Sequence, residues 1–218
     1  MDNTRFTWLT SLIFGLMVPI NDFIKGFSNA IPGIGDKAPW EITRMLPGIV
    51  NDIILRLGNE YKIKDEIAIH RSATIQQGVL LNGPIIIGEN CFIGANACLR
   101  AGVFLGESVT VGTGCEVKSS VIFNNSAIAH FNFIGDSLIG SGVNFEAGSM
   151  AANHFNERLD KRISVSYNSS VIDTASDKFG ALVSDGCKIG ANAVLSPGTI
   201  LAPGSIIKRL ELVEQVKG

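Results

Sequence analysis

Charged residues make up only 17 % of this sequence, and they nearly cancel, leaving a formal net charge of −2. No block of lysine and arginine occurs, and no basic stripe interleaved with aromatics. A nucleic-acid-binding surface therefore has nothing to be built from. Cysteine is sparse too: Cys91, Cys98, Cys115 and Cys187 form no CxxC pair. That argues against a zinc knuckle and against a dithiol redox motif. Buried apolar thiols in a reducing compartment, the cytoplasm, fit the pattern instead. Only three histidines are present, His70, His130 and His154, with no close pair. A three-histidine metal enzyme at subunit interfaces is thus a minor reading, and no metal is expected. The sole long apolar run, Trp8–Ile20, is too short to span a bilayer and is interrupted by Pro19. As a signal peptide it would use Arg5 as its charged flank and Ser28-Asn29-Ala30 as its cleavage site. Thr10, Ser11 and Gly15 weaken that core, and the run is read as an amphipathic or packed helix.

Glycine is abundant, at 24 residues spread along the chain, which signals many tight turns. Between them aliphatic residues recur every six positions: Ile69, Ile75, Leu81, Ile87, Ile93, Leu99, Leu105, Val111 and Val117. Phe123 and Ala129 keep that register, the spacing slips by one at Ile134 and Ile139, and it resumes at Phe145. A second run comprises Val183, Ile189, Leu195, Leu201 and Ile207. A companion column lies four places on, through Ala73, Val79, Ile85, Cys91, Ala97, Val103, Val109, Cys115, Val121 and Ala127, then Cys187, Ala193, Thr199 and Ser205. Three of the four cysteines fall in it.

A period of six matches neither a helix nor one long strand. It matches short strands joined by turns, each supplying two inward side chains, stacked so that the columns become internal ladders. Folds with this repeat are left-handed parallel β-helices of triangular section, about three hexads per coil. The hand comes from that likeness, since parallel crossovers are generally right-handed. The expected architecture is mainly β: residues 1–60 a helical N-terminal segment, 61–209 the β-helix, 210–218 a C-terminal cap. Residues 153–180 lack the repeat and read as a loop thrown out of the coil, a place where function often sits. Pro39-Trp40-Glu41 opens a helix through Leu57 that Gly58 ends and Pro47-Gly48 kinks or splits.

Arg100 and Lys118 are eighteen residues apart, one coil, and should stack on one edge about 4.8 Å apart. Like charges so close repel unless an anion such as phosphate lies between them, or unless they fan out into water. His130 is either a turn residue or a general base with a pKa suited to neutral pH. His70 reads as structural or solvated, and His154 belongs to the excursion.

The stretch from Arg100-Ala101-Gly102 through Glu116-Val117-Lys118, Ala129-His130, Ile134-Gly135-Asp136 and Gly142-Val143-Asn144 to Asn153 resembles a known family without a gap. It is similar to the acetyltransferase domain of bifunctional N-acetylglucosamine-1-phosphate uridylyltransferases and to related sugar-1-phosphate nucleotidyltransferase/acetyltransferases. The resemblance implies a homotrimer with sites between neighbouring subunits. It implies acetyl transfer from acetyl-coenzyme A to a sugar phosphate or amino-sugar phosphate, with His130 as the base. It assigns Arg100, Glu116, Lys118, Asn144 and a loop cation, Lys161 or Arg162, to the substrate. It assigns Ala147, Asn153, Ala191 and Lys208 to the cofactor, with a backbone N–H near Ala147 or Asn153 facing the oxyanion. Two departures stand out. The family tyrosine three residues after the base is Phe133, and the family Asn-Tyr-Asp-Gly turn is replaced by Asn153-His154-Phe155-Asn156. No GGxGTR-type nucleotidyltransferase signature occurs, so an acetyltransferase half without that partner is expected. The alternative is a β-helix that binds or assembles without catalysis.

Overall fold

The computed structural model describes residues 18–217. Most of the Trp8–Ile20 run therefore lies outside the described residues. The chain winds into a parallel β-helix of about 8 turns, with short helices at its N-terminal end. Each coil has three flat faces. Face one stacks residues 67–69, 85–87, 103–105, 120–122, 138–139, 181–183 and 199–201. Face two is a seven-stranded sheet from Thr74–Ile75 to Ile206–Ile207. Face three stacks residues 80–82, 98–100, 116–118, 133–135, 150–151, 194–195 and 212–213. An antiparallel strand, Tyr61–Lys64, covers the edge of the first coil. The parallel ladder runs on through Leu212–Val213, so the coil continues past the 209 boundary and no separate cap begins at 210.

The interior follows the six-residue columns, with one correction. Phe123 and Ala129 are not inward. The inward run is Val117, Ile122, Ile128, Ile134, Ile139 and Phe145. The register slips immediately after Val117 and again after Ile134, because two corners are a residue short. The companion column becomes polar there: Ser120, Ser126, Asn132, Ser137 and Ser149 replace Val121 and Ala127 inside, and all are buried. These hydroxyls serve the tightened corners. Ser120 Oγ donates to Lys118 O at 2.7 Å and accepts the Ser137 N–H at 3.0 Å. Ser137 Oγ repeats the arrangement with Gly135 O and the Ala181 N–H. Asn132 Nδ2 reaches Glu146 O, Ser149 O and Ser149 Oγ at 2.7–2.9 Å. A polar atom inside the coil is tolerated because each finds a partner.

Cys91, Cys115 and Cys187 are buried in this interior, and Cys98 points outward from face three, half-buried. Burial raises all three interior thiols, Cys91 to about 11. Thiolate is the reactive form. At most one thiol, Cys98, should therefore take up iodoacetamide at pH 8 in the folded protein, read by peptide mass spectrometry. Labelling of the interior three without unfolding would contradict their placement.

Face one has an apolar outer surface as well, formed by Ala68, Ile86, Phe104, Val121, Leu138, Leu182 and Ile200. The N-terminal segment covers it. Among the described residues this segment holds the helices α1 (Ile20–Phe23), α2 (Phe27–Ala30) and α3 (Pro39–Ile54). Helix α3 starts with Pro39 at its first turn and an Ala38 N–H held by Glu41 Oε2 at 2.8 Å. Ile42, Leu46, Val50 and Ile54 fall on one stripe and are buried. The helix runs through Pro47 without the split that was one of the two expected outcomes, and Pro47 lies on the corner at Gly102. A Cβ at Gly102 would sit 2.8 Å from the Pro47 nitrogen, so only glycine allows that approach. Asp185 pins the segment from the coil side, accepting the Lys25 N–H at 3.0 Å on one oxygen and the Ser141 N–H at 2.8 Å on the other.

The 153–180 excursion leaves the corner between faces three and one. It is folded rather than loose: Ser164–Tyr167 and Ser170–Asp173 form a hairpin, and Phe155, Ile163, Val165 and Phe179 join the face-one cluster. Its neck is closed by the Phe179 N–H on Asn153 O at 3.0 Å and the Gly180 N–H on Asp136 O at 2.9 Å.

Candidate active site

The outer surface of face three is a strip of side chains with a corner at either edge. Strand pairing puts Arg100 directly beside Lys118, as an eighteen-residue coil requires. The expected repulsion is absent because each cation has its own carboxylate. Arg100 Nη2 lies 2.6 Å from Glu116 Oε1, and its Nε donates to the same oxygen at 2.8 Å. Lys118 Nζ lies 2.7 Å from Asp136 Oδ2, with both side chains largely buried. That carboxylate oxygen also accepts from Asn153 Nδ2. Asp136 thus ties the Lys118 ammonium to the Asn153 amide, two groups that the sequence assigned to opposite partners.

Phe133 lies along the strip one coil beyond Glu116, and its ring leans over Gly135. A Cβ there would meet the ring at 2.7 Å, so glycine makes room for it. Arg100, Lys118, Phe133, Asn153, His154 and Lys178 line one hollow of about 340 Å³ at the edge between faces three and one. His154 and Lys178 belong to the two ends of the excursion, brought side by side by its closed neck. His154 Nδ1 lies 3.2 Å from Asn153 Oδ1.

His130 stands at the opposite edge, in the turn between faces two and three. Ile128 is the inward residue; Ala129 is half-buried and His130 exposed. A Cβ at Gly112, one coil earlier, would overlap Ala129 O, so the backbones touch at this turn. A bend through Phe131, with φ 54°, separates His130 from Phe133 on the strip.

On the face-two side of the same turn, a second hollow of about 490 Å³ is lined by Asn144, Glu146, Lys188, Lys208, Arg209 and the apolar Ile189, Ile206 and Ile207. Glu146 bridges two coils: Arg209 Nε and Nη2 reach it at 3.0 and 3.3 Å, and the Ala191 N–H donates to Oε2 at 2.9 Å. The Arg209 guanidinium, then the Ala191 N–H, hold the Glu146 carboxyl below its ordinary range. Ala191 is a residue the resemblance assigns to the cofactor, and its N–H is taken up by the chain's own carboxylate. Ala147 is exposed at the adjoining turn.

Arg100, Lys118, Asn153 and, as the partner of Arg100, Glu116 are thus together, while His130, Asn144, Ala147, Ala191 and Lys208 gather at the other edge. Lys161 joins neither group; it lines a separate hollow with Arg44, Arg162, Ser176 and Asp177. The loop cation beside Arg100 is Lys178, which sequence reasoning missed. A signal for it existed: the apolar pattern returns at Ala181–Val183, which places residue 178 back at the coil edge. Asp136 was missed as well. Among the described residues no group of three His, Cys, Asp or Glu side chains is placed to hold a metal ion. None of the described helices is long and apolar enough to cross a membrane.

The hexapeptide β-helix is the fold of the hexapeptide-repeat acyltransferases, and the chain resembles that family in sequence. Within the class it is similar to bifunctional proteins over part of their length. A family model described as the GMPPB C-terminal domain matches residues 81–174. A bifunctional sugar-1-phosphate nucleotidylyltransferase/acetyltransferase of Sulfurisphaera tokodaii is 33 % identical over 183 residues, covering 78 % of this chain and 45 % of that protein. The bifunctional protein GlmU of Methanococcus vannielii is 31 % identical over 184 residues, covering 81 % and 43 % respectively. The chain thus spans less than half the length of these curated relatives. A hexapeptide transferase family protein from Anaplasma phagocytophilum, known in crystal form, superposes with a TM-score of 0.36 at 20 % identity, over 66 % of this chain and 70 % of that one, too loosely to carry an argument.

Proposed function

We propose that this protein transfers an acetyl group from acetyl-coenzyme A to an amino group, or a hydroxyl, of a sugar phosphate. The observation that carries the reading is the position of His130, exposed at the corner between faces two and three, one coil before the Asn144 and Glu146 that begin the face-two hollow. The acceptor lies on the face-three strip, with its phosphate towards Arg100 and Lys118. The coenzyme lies along the face-two hollow, where Lys188, Lys208 and Arg209 meet its phosphates and the exposed Ile206 its apolar arm.

The chemistry then needs no covalent enzyme intermediate. The acceptor nitrogen or oxygen attacks the thioester carbonyl, and a tetrahedral oxyanion forms. The imidazole of His130 takes the acceptor's proton. Collapse of the intermediate breaks the C–S bond, and the proton leaves with the coenzyme thiolate. A backbone N–H at Ala147 or Asn153 offers the oxyanion a hydrogen bond. The interior cysteines point away from this surface and supply no nucleophile.

The two halves of the site join between neighbouring copies in a homotrimer. Leu80, Phe131, Ile206, Leu210 and Leu212 are all more than 60 % exposed on faces two and three and the turns between them. Among the described residues the N-terminal segment covers face one and leaves those faces open. Exposed apolar side chains of this kind favour burial against another copy.

The test is release of free coenzyme A thiol from acetyl-coenzyme A in the presence of hexosamine phosphates, hexose phosphates and their unphosphorylated parents. Turnover that depends on an acceptor phosphate is the expected result. Acetyl-coenzyme A left intact with every acceptor, by a folded protein, would refute the proposal and favour a binding or assembly module.

A further inference from the structure

We infer that Glu146 sets the affinity for the coenzyme by latching the face-two hollow shut in the unliganded chain. This rests on the reading that this hollow receives acetyl-coenzyme A. The hollow crosses three successive coils, since Asn144 pairs with Lys188 and Lys188 with Ile206. Glu146 stands on the first of them. Its carboxylate reaches the Ala191 N–H on the second and the Arg209 guanidinium on the third. The side chain therefore lies across the hollow. Among the described residues that line it, Glu146 is the one carboxylate, while Lys188, Lys208 and Arg209 supply positive charge. A carboxylate in that place works against an anionic guest twice. It occupies the guanidinium that a phosphate would use, and it repels the phosphate itself.

The contact can open without disturbing the coil. The backbone of Glu146 is fixed: its N–H donates to Ile189 O at 2.8 Å, and its carbonyl accepts from Asn132 Nδ2 at 2.7 Å and Ser149 Oγ at 2.6 Å. Only the side chain has to move. Both members of the ion pair face solvent, the Arg209 side chain 74 % exposed and that of Glu146 42 %. Exposed ion pairs are weak, so a guest with several phosphates displaces the carboxylate. Arg209 and the Ala191 N–H then pass to the guest together. A guest without phosphates has nothing to exchange for the guanidinium, so the latch favours the nucleotide-bearing coenzyme over an uncharged thioester.

Calorimetric titration of acetyl-coenzyme A into the wild type, E146A, E146Q and E211Q tests this. Glu211 controls for charge alone: it is exposed, and its carboxylate accepts the Lys208 N–H at 2.8 Å, with no hydrogen bond to Arg209 or Ala191 among the described residues. The inference predicts binding about 5- to 20-fold tighter in E146A, the worth of an exposed ion pair and one hydrogen bond to a charged group. E146Q keeps an acceptor for the Ala191 N–H but loses the ion pair, and should lie between. E211Q should change by less than about 2-fold. The KM for acetyl-coenzyme A should fall in E146A by the same factor as the dissociation constant. Unchanged affinity in both Glu146 variants, or an equal gain in E211Q, would overturn the latch. The two failures are distinguishable: equal binding by wild type and E146A removes the latch alone, whereas no binding by either removes the acyltransferase reading and the latch with it.

Discussion

Replacing His130 by alanine is expected to lower acetyl transfer by about 10²- to 10⁴-fold, the range that a positioned general base contributes. The acceptor amine is a poor nucleophile while it holds its proton, and nothing else at this turn can accept one. The effect should fall on kcat. The affinity for acetyl-coenzyme A should be unchanged, because the imidazole is not among the residues lining the face-two hollow. Nor should stability suffer. The ring is exposed, and the fold uses only the backbone of His130, whose carbonyl accepts the Gly148 N–H at 2.9 Å. Steady-state kinetics with a thermal melt beside them decide the matter. Near-normal turnover in a folded H130A variant would remove the base assignment, and His154, at the opposite edge, would be the histidine to examine next.

Phe27→Ala should produce the largest loss of stability, about 3–5 kcal/mol, the usual cost of deleting a buried aromatic ring. Phe27 is fully buried in α2. Its ring stacks on Phe123 with centroids 5.4 Å apart and an interplanar angle of 19°, and Phe123 in turn lies 6.3 Å from Phe104. Through these rings the N-terminal segment is fastened to the outside of face one. Urea unfolding measures the change, and Phe27→Leu, which keeps most of the apolar volume, should cost less. A loss below about 1 kcal/mol in F27A would mean that face one is not covered in this way.

The β-helix itself was legible in the sequence because its six-residue period is a direct record of which side chains face inward. Where the structure departs, the causes are local. Ser120 and Ser137 each replace an apolar residue and close a corner one residue early, and a hydroxyl that satisfies the backbone looks, in sequence, like any turn serine. Reading the slip late put Phe123 inside, when it belongs to the second core. That core was harder to see. Its signal lies in outward positions such as Ile86, the middle of Ile85-Ile86-Ile87, and an outward isoleucine is unremarkable until something is known to cover it. Of the candidate site, the stacking of Arg100 on Lys118 followed from spacing alone. Their neutralisation by Glu116 and Asp136 did not, because Asp136 comes from the following coil at a tightened corner. The sequence points to Lys161 or Arg162 and passes over Lys178 for the same kind of reason: Lys161 lies away towards Arg44, while the neck returns Lys178 to the strip, and only the folded path shows it.

The central claim is that this β-helix uses acetyl-coenzyme A, and a calorimetric titration tests it most directly, with free coenzyme A run alongside. The account predicts binding with a dissociation constant on the order of micromolar, one site per chain, retained in H130A. A folded wild-type protein that takes up neither ligand would contradict it.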